Sequence, residues 1–108
     1  MTAKELAEKL NLSVLCMPEP EAEVDGAYAG DLLSWVMGRA TEGNAWVTIM
    51  TNINTVAVAS LAGISLVIIC DSSEIEDEVV NTASQKSINV ARTELPMYET
   101  CVKLAEYV

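Results

Sequence analysis

Residues 54–70, NTVAVASLAGISLVIIC, form the most apolar stretch of the chain and constrain its fold more than any other segment. A helix that crosses a membrane needs about 20 apolar residues. The apolar core from Val56 to Cys70 is shorter, and Ser60, Gly63 and Ser65 interrupt it. Its halves also differ in character. TVAVASLA is rich in small residues, and Asn54 before it is suited to cap a helix start. SLVIIC is a short β-branched run bounded by Gly63 and Asp71, the pattern of a strand buried on both faces. The segment therefore reads as a helix over 54–62, a Gly63 C-cap and a strand over 65–70. AWVTIMT, residues 45–51, supplies a strand before it. Strand, helix and strand in succession make a βαβ unit, with 45–51 and 65–70 as neighbouring parallel strands.

The rest of the chain repeats this rhythm. Thr2 and Glu5 form a capping box for a helix over 2–10, with Ala3, Leu6, Ala7 and Leu10 on one face. Residues 12–16 read as a strand. The loop MPEPEAEVDG follows, with Pro18 and Pro20 blocking regular structure, and a short strand falls near 24–28. Asp31 can start the helix DLLSWVMGR. Ser73 and Glu76 form a second capping box, opening a helix over 74–86 whose inner face is Ile75, Val79, Val80 and Ala83. Residues 88–91 are the last strand. Thr93 and Pro96 open a final helix with Met97, Cys101, Val102, Leu104, Ala105 and Val108 inward. About five strands alternating with about five helices predict an α/β fold of one domain, a mostly parallel sheet covered by helices on both faces.

Composition then restricts function. The 108 residues carry sixteen acids against six bases, a net charge of −10, which excludes a grip on nucleic-acid backbones and on anionic lipid. Histidine is absent, which removes the commonest general base and the commonest zinc ligand, and no metal or cofactor motif is present. Cys16, Cys70 and Cys101 are far apart in apolar contexts, as reduced core residues of a cytoplasmic protein. The amphipathic start MTAKELAEKL lacks the apolar region of a signal peptide. Glu19, Glu21, Glu23 and Asp25 alternate in a proline-containing loop without an EF-hand pattern, so they read as solvated acids. The apolar fraction is 51% and the mean hydropathy +0.28, more than one small core can absorb. The helix bearing Leu32, Leu33, Trp35, Val36 and Met37 has no clearly polar face, so the expected assembly is a homodimer that buries it.

Open parallel sheets bind ligands beyond the carboxyl ends of their strands. Thr51, Asn52, Asn54, Asp71, Ser72, Arg92 and Thr93 fall at such junctions. Arg92 with Asn52 and Asn54 would suit a small anion, while the acids at 74–78 repel one on the other side. The same residue types also serve as plain helix caps, in which case function lies in a docked partner protein or the dimer surface. Cys70 at a strand end reads as a buried structural thiol rather than a nucleophile.

YAGDLLSWVMGRATEGNAWVTI followed by TNINTVAVASLAGISLVIICDS resembles the DRTGG domain family in its short stand-alone form. The resemblance extends over essentially the whole chain and is strongest over 28–71. The letters D-R-T-G-G do not occur as such, and Gly43-Asn44 stands where Asp-Arg is expected. Such domains occur beside CBS domains in some inorganic pyrophosphatases and in phosphotransacetylase-type proteins, and are similar to the N-terminal domain of HPr kinase/phosphorylase. The resemblance implies a non-catalytic regulatory or dimerisation domain over 1–108. The stretch IICDSSEIEDEV is also similar to the strand–DSS–helix element of STAS anti-sigma-factor antagonists, which makes a switch phosphorylated at Ser72 or Ser73 the alternative. A small enzyme stands third, since no catalytic constellation is visible.

Overall fold

The apolar run resolves into a helix, a turn and a strand. In the computed structural model, which describes residues 1–108, α3 spans Ile53–Ala62 and β4 spans Leu66–Ile69. Between them Gly63 takes the left-handed conformation at φ 71°, the C-cap that glycine adopts without strain. Asn52, not Asn54, caps the helix, because its side chain accepts from the Asn54 N–H at 2.9 Å. No helix is long and apolar enough to cross a membrane.

The remaining elements are α1 (Ala3–Lys9), β1 (Ser13–Cys16), β2 (Gly26–Ala29), α2 (Leu33–Arg39), β3 (Asn44–Thr48), α4 (Asp77–Gln85), β5 (Val90–Arg92) and α5 (Met97–Leu104). The strands form one sheet in the order β1-β5-β4-β3-β2. β2 to β5 are parallel, and β1 alone pairs antiparallel, with β5. β3 and β4 are neighbours joined by α3, as the βαβ reading requires.

Two cores follow from strand alternation. One face of β3 to β5 presents Trp46, Val67, Ile69 and Val90 to Val36 of α2, Val56 and Ala59 of α3, and Val79 and Ala83 of α4. The other presents Ala45, Val47, Leu66, Ile68 and Ala91 to Leu6 of α1 and Leu104 of α5. Helices therefore cover both faces. β3 and β4 are fully buried because each is sandwiched in this way.

Local expectations fail at two helix starts and on one helix face. Asp31 does not cap α2; Leu32 holds that position without a side-chain bond. The Asp31 carboxylate instead accepts from the Thr48 hydroxyl at 2.7 Å and the Ile49 N–H at 3.0 Å, tying the β2 exit to the end of β3. The Ser73–Glu76 box does not form, and α4 starts at Asp77 with Glu76 as an uncapped N-cap. In α5 the inward face is Met97, Thr100, Cys101 and Leu104, while Val102, Ala105 and Val108 are exposed, since Val102 projects well away from the Thr100–Leu104 line. The Thr2–Glu5 box does form, with both reciprocal bonds present.

One buried hydroxyl, Thr55 Oγ1 in the first turn of α3, has no partner. An unsatisfied buried hydroxyl is destabilising, so Thr55→Val is expected to raise stability by about 1 kcal/mol. A urea titration checks this, and a lowered midpoint would show that the hydroxyl is satisfied in solution.

Candidate functional site

The carboxyl edge is shaped by where each strand sends its chain. β2, β3 and β4 lead to α2, α3 and α4 on one face, whereas β5 leads to α5 on the other. A crevice is expected where neighbouring strands diverge in this way, here between β4 and β5. It is closed by backbone. The Asp71 N–H donates to the Leu95 carbonyl at 3.0 Å and the Ser72 N–H to the Thr93 carbonyl at 2.9 Å. The turn that makes these bonds is tight: Asp71 and Ser72 take φ of 58° and 51°, and the Ser73 N–H returns to the Cys70 carbonyl at 3.1 Å.

The sequence-derived residues consequently fall into separate groups. Thr51 and Asn52 line a cleft of about 440 Å³ together with Glu74, Glu76 and Glu78. The acids expected on the other side thus share the α3 N-terminal cleft, and three carboxylates there oppose an anion. Asn54 is exposed at the start of α3 and lines no cleft with Arg92. Asp71 is exposed on the closing turn. Ser72, Arg92 and Thr93 do come together, in a cleft of about 210 Å³ that also takes in Ser13. Neither Ser72 nor Ser73 stands at a helix start, because α4 begins at Asp77.

Arg92, the last residue of β5, also lines a cleft of about 360 Å³ with Asn11, Ser13, Thr93 and Lys103. Ser13 reaches it because β1 is antiparallel: its first residue pairs with Arg92 at the far end of β5. Lys103 comes from the last turn of α5. The one ion pair of the chain joins the Met1 ammonium to Glu23 at 3.1 Å, so Arg92 and Lys103 are both unpaired. Glu94 is the single acid on this cleft, which leaves its lining with a net positive charge in a strongly acidic chain. Lys103, Asn11 and Ser13 escape sequence reasoning, because nothing local says that β1 runs against β5.

The three cysteines are free thiols, with Cys70 buried and Cys16 and Cys101 half-buried. Burial pushes the thiols of Cys70, Cys16 and Cys101 up from their ordinary value. Cys70 is fully buried, and its Sγ lies 3.5 Å from the Thr100 hydroxyl as a donor. On α2, Leu32, Trp35 and Met37 are exposed and Leu33 is half-buried. Val36 lies wholly in the chain's own core and is not available to a second copy.

No family model matches the chain, and no curated protein sequence matches it. Its fold is similar to a crystal structure of the CBS and DRTGG domains of the regulatory region of Clostridium perfringens pyrophosphatase, complexed with activator, diadenosine tetraphosphate. The TM-score is 0.74 at 13% identity, covering 95% of this chain and 45% of that one. The fold is DRTGG-like, as the resemblance implied. This chain spans less than half the length of the structure it matches.

Proposed function

We propose that this domain is a non-catalytic regulatory module that takes up a small anionic ligand in the Arg92–Lys103 cleft. The observation that carries this reading is that two of the chain's six basic side chains line one cleft without an ion-pair partner. In a chain of net charge −10, cations left unpaired beside one another are an anion's most favourable place to bind. Ser13, Thr93 and Asn11 add neutral hydrogen-bonding groups around them. The ligand class is a phosphate- or carboxylate-bearing metabolite. A regulatory role is supported by the shared fold, since the matched regulatory region was crystallised with a polyanionic nucleotide activator. Three free thiols go with a cytoplasmic setting.

Thermal-shift and calorimetric titrations with inorganic phosphate, pyrophosphate and a nucleoside monophosphate test the reading. At least one of them should raise the unfolding temperature of the wild-type chain. Arg92→Ala and Lys103→Ala should each weaken that ligand by about 2 kcal/mol with the fold intact. A wild-type chain indifferent to all three anions, or variants that bind as tightly, would move function away from this cleft.

A further inference from the structure

We propose that the ligand of the Arg92–Lys103 cleft is dipolar, with a phosphate or carboxylate at one end and an ammonium at the other. This rests on the anion reading above and narrows its ligand class. The cleft of about 360 Å³ and that of about 210 Å³ share Ser13, Arg92, Thr93 and Glu94, so they adjoin at the end of β5. Their remaining charged groups differ in sign. Lys103 lines only the larger of the two, and Glu74 only the smaller. The larger cleft thus carries two bases against one acid, and the smaller two acids against one base. Charge changes from positive beside α5 to negative beside the segment that leads into α4. Glu74 also borders the acidic cleft at the α3 N-terminus, whose carboxylates add to the negative potential at that end.

The two ends do not neutralise each other. Arg92, Lys103, Glu74 and Glu94 are all without an ion-pair partner, although both signs line one site. The backbone beneath them is tied down on both sides. The Thr93 N–H donates to the Ile69 carbonyl at 2.8 Å, and the Leu95 N–H to the Thr93 hydroxyl at 3.2 Å. The Asp71–Ser72 turn is bonded in its place to the carbonyls of Leu95 and Thr93. The backbone positions that carry Arg92 and Glu94 are therefore fixed before a ligand arrives, which lowers the cost of ordering them on binding. The Thr93 hydroxyl accepts from Leu95 and keeps its own proton to donate to a ligand.

Charge decides the second group of the ligand. Carboxylates only accept hydrogen bonds when ionised, and an ammonium offers them three charged donors. A ligand that spanned both clefts with a second anionic group would set it against Glu74 and Glu94. The whole chain acts in the same direction. At net charge −10 it repels a polyanion, and far less a molecule that carries its own positive charge. The anionic end belongs between Arg92 and Lys103, and the ammonium between Glu94 and Glu74.

Calorimetric titration of the full chain with O-phosphoethanolamine and with n-propyl phosphate tests this, since an ammonium in the first replaces a methyl group in the second. The wild-type chain should bind the first about tenfold more tightly. γ-Aminobutyrate and pentanoate make the same comparison with a carboxylate head and identify which anion the cleft takes. Glu74 and Glu94 are exposed, so Glu74→Gln and Glu94→Gln should leave the circular dichroism spectrum unchanged. Each should reduce the preference, and the double variant should abolish it while binding the methyl-bearing probe no more weakly than before. Lys103→Ala should weaken both members of a pair and keep their ratio. If the ammonium gives no advantage in either pair, the proposal falls and the anion site stands. A preference that survives in the double variant also overturns it, because the ammonium then sits elsewhere. If none of the four probes binds, the proposal falls; the anion reading falls with it only when phosphate, pyrophosphate and the nucleoside monophosphate fail too.

Discussion

Replacing Trp46 with alanine is expected to lower the stability of the chain by about 4 kcal/mol or more. Trp46 is the largest fully buried side chain and stands on β3, between β2 and β4. It packs among the apolar residues brought in by α2, α3 and α4, so its removal leaves a cavity that three helices border and none can collapse to fill. Its indole N–H also donates to the Gly30 carbonyl at 2.9 Å, fixing the exit of β2 just before Asp31. A domain of this length has about 5–15 kcal/mol in total, so a loss of this size removes a quarter or more of it. Urea titration followed by circular dichroism measures the loss. Trp46→Phe separates the two contributions: it keeps most of the packing and leaves the Gly30 carbonyl unpaired, which should cost about 1–2 kcal/mol. If Trp46→Ala lost no more than Trp46→Phe, the core over β3 would be far more plastic than this packing implies.

Asn89→Ala should cost about 3 kcal/mol, a large effect for a side chain with so little apolar surface. Asn89 is 1% exposed. Its Oδ1 accepts from the Glu19 N–H at 2.9 Å, and its Nδ2 donates to the carbonyls of Glu19 at 2.7 Å and Ser65 at 2.9 Å. One amide thereby does for the proline-containing loop what a strand ladder would do. It pairs both backbone groups of Glu19 and holds the loop to the segments that enter β4 and β5. Alanine leaves these groups without their partners, the more expensive way to lose a hydrogen bond. Asn89→Asp should cost more still, because an ionised carboxylate would face two carbonyl oxygens and desolvation would disfavour its charge. Limited proteolysis supplies a second readout: cleavage within 17–23 should accelerate in Asn89→Ala before global unfolding does. A loss below about 1 kcal/mol with an unchanged cleavage rate would mean that the loop is held by something else.

These two residues differ in how far their roles can be read from the chain. Trp46 lies in an apolar strand pattern, and its burial follows from βαβ alternation once that alternation is seen. Nothing in the sequence around Asn89 says that its amide bonds to a residue seventy positions away. The contrast recurs at the helix ends. Thr2 with Glu5 and Gly63 act as their local sequence suggests, because each contact closes within a few residues. Ser73 with Glu76 has the same spacing and does not act so. The preceding turn at Asp71 and Ser72 is bonded to Thr93 and Leu95 from another part of the chain, and α4 begins beyond it. Asp31 likewise leaves its helix to bond Thr48 and Ile49 at the end of the neighbouring strand.

The candidate site shows the same division. That ligand-binding groups belong at the carboxyl edge follows from a parallel sheet, and Ser72, Arg92 and Thr93 do meet there. The partition of that edge was decided by tertiary structure. Arg92 faces Lys103 and Ser13 rather than Asn52 and Asn54 because β1 adds antiparallel to β5, and because α5 crosses to the face opposite α4. The sequence by itself determined the alternation of helices and strands, two of the helix boundaries and the sign of the surface charge, all of which depend on residue type and short spacing. Strand order, the sense of β1, the closure of the β4–β5 crevice and the neighbours of each charged side chain were decided only in the folded chain. They depend on which distant backbone groups pair, and a periodic pattern of apolar residues is the same for every such pairing that buries the same faces.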